Sequence, residues 1–299
     1  MKLGLNLSFA IKRWLGGSQL ADIVGSELGF DCAQLTWDLI NPDWPAATRD
    51  RIAIDYAQAF ERSGIAIEST FGGVASYTYN NYLAPTADLR HLGHVHLLHA
   101  IDTTSVMGIK STGMPFGSFS AADALSLSRR SEIYKEALDL LVDAARHAKR
   151  RGLDLLLIEP TPLATEFPSS ASESARMMND LRGQTDVPIR LLVDWGHALF
   201  EPLFGKDADM DFWMKMCGTD IAAFHIQQTD GTLDRHWSFS KDGLVTRDLL
   251  EDFWNRHRLT TQTYFLEIIY PFEDTDESVL IDMKAGIARL RPEYLGNLG

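Results

Sequence analysis

The sequence predicts an α/β protein built as a single (β/α)8 barrel over residues 1–299. Three observations lead there. Four apolar runs, Leu155–Ile158, Leu191–Val193, Ile221–Phe224 and Tyr264–Leu266, each end in a metal-type side chain: Glu159, Asp194, His225 and Glu267. A parallel strand covered on both faces reads as a near-continuous apolar run, so its polar groups collect where it ends. Those four side chains stand 35, 31 and 42 residues apart, each interval about one strand-helix unit. The length also suits one such barrel, which typically takes roughly 250 residues.

The first strand is expected at about Leu3 to Ser8, with Asn6 near its end. Arg13-Trp14-Leu15, a Gly16-Gly17-Ser18 turn and a helix over 18–28 follow. Strand two, Cys32–Leu35, ends at Thr36-Trp37-Asp38. Pro42 and Pro45 mark a turn before a helix through Phe60, stopped near Gly64. Strand three, Ile65–Thr70, ends in Phe71-Gly72-Gly73, a loop with room for a ligand. Residues 74–87 read as irregular, and their Tyr77, Tyr79 and Tyr82 are expected to cover something. Residues 88–106 read as a helix with His91, His94, His96 and His99. His91 and His94 share a face, His96 points elsewhere and no carboxylate is held beside them, so they are read as ordinary helix residues.

Strand four is placed at Val106–Lys110, leading into a Gly/Pro/Ser-rich loop over 111–121. In the helix over 131–151, Ile133, Ala137, Leu140, Leu141, Ala144 and Ala148 fall at helical spacing, and Gly152 is a stop. Strand five ends at Glu159. The loop from Pro160 to Pro168, which contains Glu166, hands over to a Ser-capped helix over 170–182. Strand six ends at Asp194 and precedes a helix over 207–217. Strand seven ends at His225, followed by the polar and aromatic loop Arg235–Phe239 and a helix over 246–257. Strand eight ends at Glu267, and a helix over 276–290 closes the ring.

The composition, 45% hydrophobic and 23% charged, is that of an ordinary globular protein. A net charge of −13 and a pI of about 5.1 argue against general nucleic-acid binding, which leans on a basic face. Cys32 and Cys217 are too few for a disulfide scaffold and read as buried thiols of a reducing compartment. No run approaches the roughly 18 apolar residues of a membrane span. The N-terminus enters a strand at once and lacks a cleavable signal's layout, so a cytoplasmic location is expected.

Three carboxylates and one imidazole around one point suit Mn²⁺, with Mg²⁺, Co²⁺ or Zn²⁺ as other options. One divalent ion there can polarise a carbonyl and hold a vicinal hydroxyl, which stabilises an enediolate. Glu159 and Glu267 are the expected proton-transfer pair. His197 is expected to touch a substrate oxygen rather than the ion, because Asp194 already occupies its strand end. Taken alone, Asp194 and His197 could be a helix cap and a surface histidine; the set of four argues otherwise.

Glu159 in Ile-Glu-Pro, the Asp194-Trp-Gly-His197 motif, His225 with Asp230, and Glu267 together resemble the xylose-isomerase-like TIM barrels. This sugar-phosphate isomerase/epimerase superfamily includes the ketose 3-epimerases and endonuclease IV. The resemblance covers the whole chain in layout and is most specific from Glu159 to Glu267. It implies that Glu159, Asp194, His225 and Glu267 bind one divalent ion, that the two glutamates serve as acid and base, and that His197 contacts substrate. It also implies pairing of barrels into a homo-oligomer, a dimer or tetramer.

Two departures stand out. The epimerases carry a glutamate six residues after the first; here Thr165 occupies that place and Glu166 follows. They carry an arginine six residues after the metal histidine; here Gly231 occupies it and Arg235 is the nearest arginine. Arg235, His236 and Lys110 are expected at the mouth, where each is either a phosphate contact or simply solvated. Asn6 and Trp37 are further candidate substrate contacts. Trp37, Trp14, Phe71 and Trp237 can pack on a small sugar or belong to the core.

The expected activity is metal-dependent isomerisation or epimerisation of a small ketose or ketose phosphate, of tetrulose or pentulose size. The favoured form is 3-epimerisation through a cis-enediolate. Aldose–ketose isomerisation on the same scaffold is the alternative. An endonuclease IV-like phosphoesterase would need more histidines and carboxylates at the first four strand ends, and a basic surface. A non-catalytic sugar-binding barrel would have no need of four matched ligands.

Overall fold

Side chains along a strand face alternate sides, and that period of two decides what each residue of this chain does. A computed structural model describes residues 1–291. Its strands are β1 Leu3–Asn6, β2 Cys32–Thr36, β3 Ala66–Phe71, β4 Ser111–Pro115, β5 Leu155–Glu159, β6 Ile189–Asp194, β7 Ile221–Ile226 and β8 Tyr264–Leu266. All neighbours pair in parallel, and β8 pairs with β1 (Leu3 opposite Tyr264, Leu5 opposite Leu266), so the sheet closes into a barrel. One principal helix follows each strand: α1 Gly17–Asp22, α2 Ala46–Arg62, α3 Ala87–Val106, α4 Leu127–Arg151, α5 Ala171–Leu181, α6 Met210–Cys217, α7 Arg247–Arg256 and α8 Asp276–Leu290.

Two cores result. Leu157, Leu192, Ala223 and Phe265 join Cys32 and Phe71 in one buried cluster. Each of the first four stands two residues before Glu159, Asp194, His225 or Glu267, so core and polar cluster share the barrel's inner face. The residues between them, Ile158, Val193, Phe224 and Leu266, face the other way into the larger core shared with the helices. At the N-terminal end, Glu68 of β3 is paired with Lys2 and accepts the Thr263 hydroxyl at 2.8 Å.

Strand four differs from its expected place. Val106 ends α3, and Gly108 at φ 77° turns the chain out of it, so the apolar residues assigned to a strand belong to the helix terminus. The segment expected as loop supplies β4 instead. Its residues are small because neighbours crowd them: a Cβ on Gly113 would lie 2.4 Å from Leu157 Cβ, and the Thr112 and Thr70 hydroxyls meet at 2.6 Å. Lys110 therefore precedes β4 at the N-terminal rim, where its Nζ donates to the Gly152 carbonyl at 3.0 Å. It is on the opposite end of the barrel from the mouth, which corrects its expected role as a substrate contact.

The α3 histidines meet neighbouring elements. His94 faces the Tyr82 hydroxyl at 3.2 Å, while His96 and His99 bracket Asp43 at 2.7 and 2.8 Å. Residues 74–77 form a short helical turn at the mouth. No described helix is long and apolar enough to cross a membrane.

Gly113→Ala is expected to destabilise the fold by about 1–3 kcal/mol through overpacking against β5. Gly16→Ala, with open space at its Cβ, should stay within about 0.5 kcal/mol. Urea unfolding of the two variants beside the parent measures the difference.

Candidate active site

Parallel pairing brings the four strand-end groups together. Asp194 and His225 stand directly opposite in register, and Glu267 N donates to Ile226 O at 3.0 Å just past β8. One ligand atom from each of Glu159, Asp194, His225 and Glu267 lies within 4.8 Å of all the others. His225 Nδ1 is 3.0 Å from Glu159 Oε1 and 2.8 Å from Glu267 Oε2. Its Nε2 is 2.6 Å from Gln34 Oε1, a carbonyl that can only accept. Nε2 therefore carries a proton, which orients Nδ1 toward the carboxylates.

Burial sets the electrostatics. It pushes the Glu159 and Asp194 carboxyls up from their usual range. Burial acts on Glu267 too, but the adjacent His225 and His236 hold it below its ordinary value. On His225 burial alone would lower the pKa; Glu267 and Glu159 outweigh it and hold it at about 10. Three desolvated carboxylates need a compensating cation. Asp194 Oδ1 accepts from His197 N and Gln227 Nε2, both at 3.0 Å, while its Oδ2 is buried with no hydrogen-bond partner. That orphaned oxygen and the oxygen-rich donor set with one nitrogen fit a divalent ion.

A supporting layer lies beneath. Asn6 Nδ2 donates to Gln34 Oε1 at 2.8 Å and to Glu267 Oε1 at 3.2 Å, and Gln34 Nε2 donates to Ser69 Oγ at 2.9 Å. Asn6 is thus a support under the cluster rather than part of the pocket wall, contrary to its expected role as a substrate contact. Gly196 of the Asp-Trp-Gly-His motif has a packing reason: a Cβ there would lie 2.4 Å from Gln227 Cδ.

A cavity of about 180 Å³ opens above the cluster. Glu159, Glu267, His197 and His236 line it, as do Ser8, Gly72, Gly73, Val74 and Tyr77 from the loops after β1 and β3. Asp234 also lines it and was not singled out from the sequence. Its carboxylate stands 3.2 Å from both His197 Nε2 and His236 Nε2 and accepts from Gln227 Nε2 at 2.8 Å. The sequence carries no clean signal for it, because the segment is not a strand and His236 is left-handed at φ 45°, so alternation does not predict which side each residue takes. Gln34 offered a weak one, an amide inside a strand, where buried polar groups must find partners.

The remaining candidates are placed elsewhere. The Arg235 guanidinium binds Asp230 at 2.7 Å and lies 4.7 Å over the Trp237 ring, away from the cavity wall. Trp37 packs edge-on against His96 at 5.2 Å, and Trp14 lies tilted against Phe9 at 5.7 Å. Phe71 sits inside the barrel, edge-on to His225 at 5.2 Å. Glu166 is buried behind the wall with Oε2 unpartnered; burial raises its pKa to about 7, against the pull of the Tyr77 phenol.

A folded-state pKa above the unfolded value means the native carboxyl holds its proton while the unfolded one has lost it. Its stability contribution therefore falls as pH rises from about 4.3 to about 7. Glu166→Gln is expected to raise the unfolding temperature more at pH 8 than at pH 4, measured by thermal scans in both buffers; an equal shift would refute the assignment.

The profile of the xylose isomerase-like TIM barrel family matches residues 24–252. The D-erythrulose 1-phosphate 3-epimerase of Brucella abortus (strain 2308) is 27% identical over 230 residues, 77% of this chain and 74% of that one. A crystal structure from Rhodospirillum rubrum ATCC 11170, described as a candidate xylose isomerase, is 60% identical with a TM-score of 0.97. It covers 98% of this chain and 99% of its own. The D-psicose 3-epimerase of Clostridium cellulolyticum H10, solved with D-tagatose, shares the fold at 12% identity and a TM-score of 0.69, covering 98% and 99% of the two chains. With its closed eight-stranded barrel and a profile match over most of its length, the chain belongs to the xylose isomerase-like TIM-barrel family.

Proposed function

We propose that this chain is a divalent-metal-dependent epimerase of a small ketose, acting at C3 through a cis-enediolate. The observation that carries the reading is the convergence of Glu159, Asp194, His225 and Glu267 at the floor of a sugar-sized cavity. The Brucella relative, named as a ketose-phosphate 3-epimerase, supports the reaction class. Glu159, Asp194, His225 and Glu267 would hold the ion, Mn²⁺ by preference. When bound, it supplies Lewis-acid polarisation of the ketose carbonyl and the adjoining hydroxyl.

The proton work belongs to the two glutamates. One carboxylate removes the C3 proton, and the electron pair left behind is taken up by the adjoining carbonyl to give the enediolate. The other carboxyl delivers a proton to the opposite face, inverting C3. Their environments push Glu159 and Glu267 to opposite sides of the ordinary carboxyl range, the split that suits an acid and a base. His197 stands on the cavity wall with Asp234 beside its Nε2, placed to meet a substrate hydroxyl.

The test is proton NMR of unphosphorylated and phosphorylated tetruloses and pentuloses in D2O with Mn²⁺-loaded protein, quenched and freed of metal before acquisition. Deuterium entering at C3 with inversion is expected. Appearance of an aldose, with deuterium at C1 or C2 by an enediol route or without it by a hydride shift, would instead favour aldose–ketose isomerisation, the activity suggested for the Rhodospirillum protein. Glu267→Gln should lower turnover by about 10²–10⁴-fold; undiminished turnover would sink the mechanism. Gln34→Leu, which leaves His225 without its acceptor, should weaken Mn²⁺ binding by about 10–100-fold, as read by metal titration.

A further inference from the structure

We infer that the cavity takes an unphosphorylated ketose, because the cations and paired N–H groups around its mouth are already engaged within the chain. The inference rests on the epimerase reading and narrows its substrate class. A phosphate monoester carries roughly −1.5 to −2 charge at pH 7. Proteins grip it with Arg, Lys or converging backbone N–H groups.

Each such group near this mouth has another occupation. Arg235 donates from Nε and Nη2 to Asp230 at 3.1 and 2.7 Å, with its face over Trp237. Arg13 donates to the Pro271 carbonyl at 2.7 Å and the Asp274 carbonyl at 3.3 Å. Lys12 and Lys241 lie over the rings of Phe272 and Trp237, at 4.7 and 4.8 Å.

The N–H groups of Val74 and Ala75 point together beside the cavity, as a phosphate would require. They already hold the Asp38 carboxylate at 2.7 and 2.9 Å. A Cβ at residue 73 would lie 2.1 Å from Asp38 Oδ2, so Gly73 is what lets that carboxylate in.

The wall contains no Lys or Arg among the described residues; its histidines, His197 and His236, share Asp234 at 3.2 Å, and its other two carboxylates, Glu159 and Glu267, belong to the ion-binding set. Residues 292–299 contain no Lys or Arg in their sequence. A phosphate ester would find the arginines and paired N–H groups near the mouth engaged within the chain, whereas a neutral polyol needs only hydrogen-bonding groups.

The experiment uses the full chain loaded with Mn²⁺ and matched pairs of tetruloses and pentuloses with their terminal phosphate esters. Quenched NMR gives kcat/KM, and unfolding-temperature shifts report binding, with inorganic phosphate as a further probe. The unphosphorylated member should be favoured by about tenfold or more in kcat/KM, and inorganic phosphate should not raise the unfolding temperature. Asp230→Ala, which releases Arg235, should narrow the gap. Preference for the esters overturns the inference and leaves epimerisation standing. Binding of the free ketoses without turnover sustains it and overturns epimerisation. Binding of neither overturns both.

Discussion

Three carboxylates facing one imidazole in a desolvated space are the constraint around which the rest of this barrel is arranged. Ionised groups at such density repel one another and lose hydration. The surrounding side chains answer that cost by taking up every proton and lone pair they can reach. Gln34 receives His225, Asn6 donates to Glu267, and Gln227 joins Asp194 to Asp234. Among the ligand-set oxygens only Asp194 Oδ2 is buried without a partner, so the network is complete except where an ion would complete it.

Much of this was readable in the sequence, because the alternation of side chains is local information. A run such as Leu191-Leu192-Val193 followed by Asp194 reports a buried strand and the position of its terminus together, and four such runs report a ring. Strand four was not legible for a physical reason. Ser111–Pro115 is small and polar where the barrel is tight at Gly113, so the apolar residues just before it, which belong to the end of α3, carried the misleading signal. That displacement of a few residues moved Lys110 from one rim to the other.

The loop residues divide in the same way. His197 and His236 reach the cavity, and Arg235 between Asp234 and His236 does not, because Asp230 holds its guanidinium. Asp234 was hidden because its importance depends on two histidines from different loops, one of them 37 residues away. His236 adopts a left-handed backbone at φ 45°, a conformation uncommon outside glycine, while both Arg235 N and His236 N donate to Gln227 Oε1. A single glutamine amide thus organises the loop that supplies two cavity residues.

The pairing of β8 with β1 joins residues near the two ends of the chain, with Leu3 opposite Tyr264. Glu267 lies just beyond that seam, 108 residues after Glu159. A growing chain on the ribosome therefore holds part of the donor set long before it holds the whole. Neither the ring nor the four-residue cluster can be complete until the eighth strand emerges, which makes assembly of the site a late, long-range event in biosynthesis.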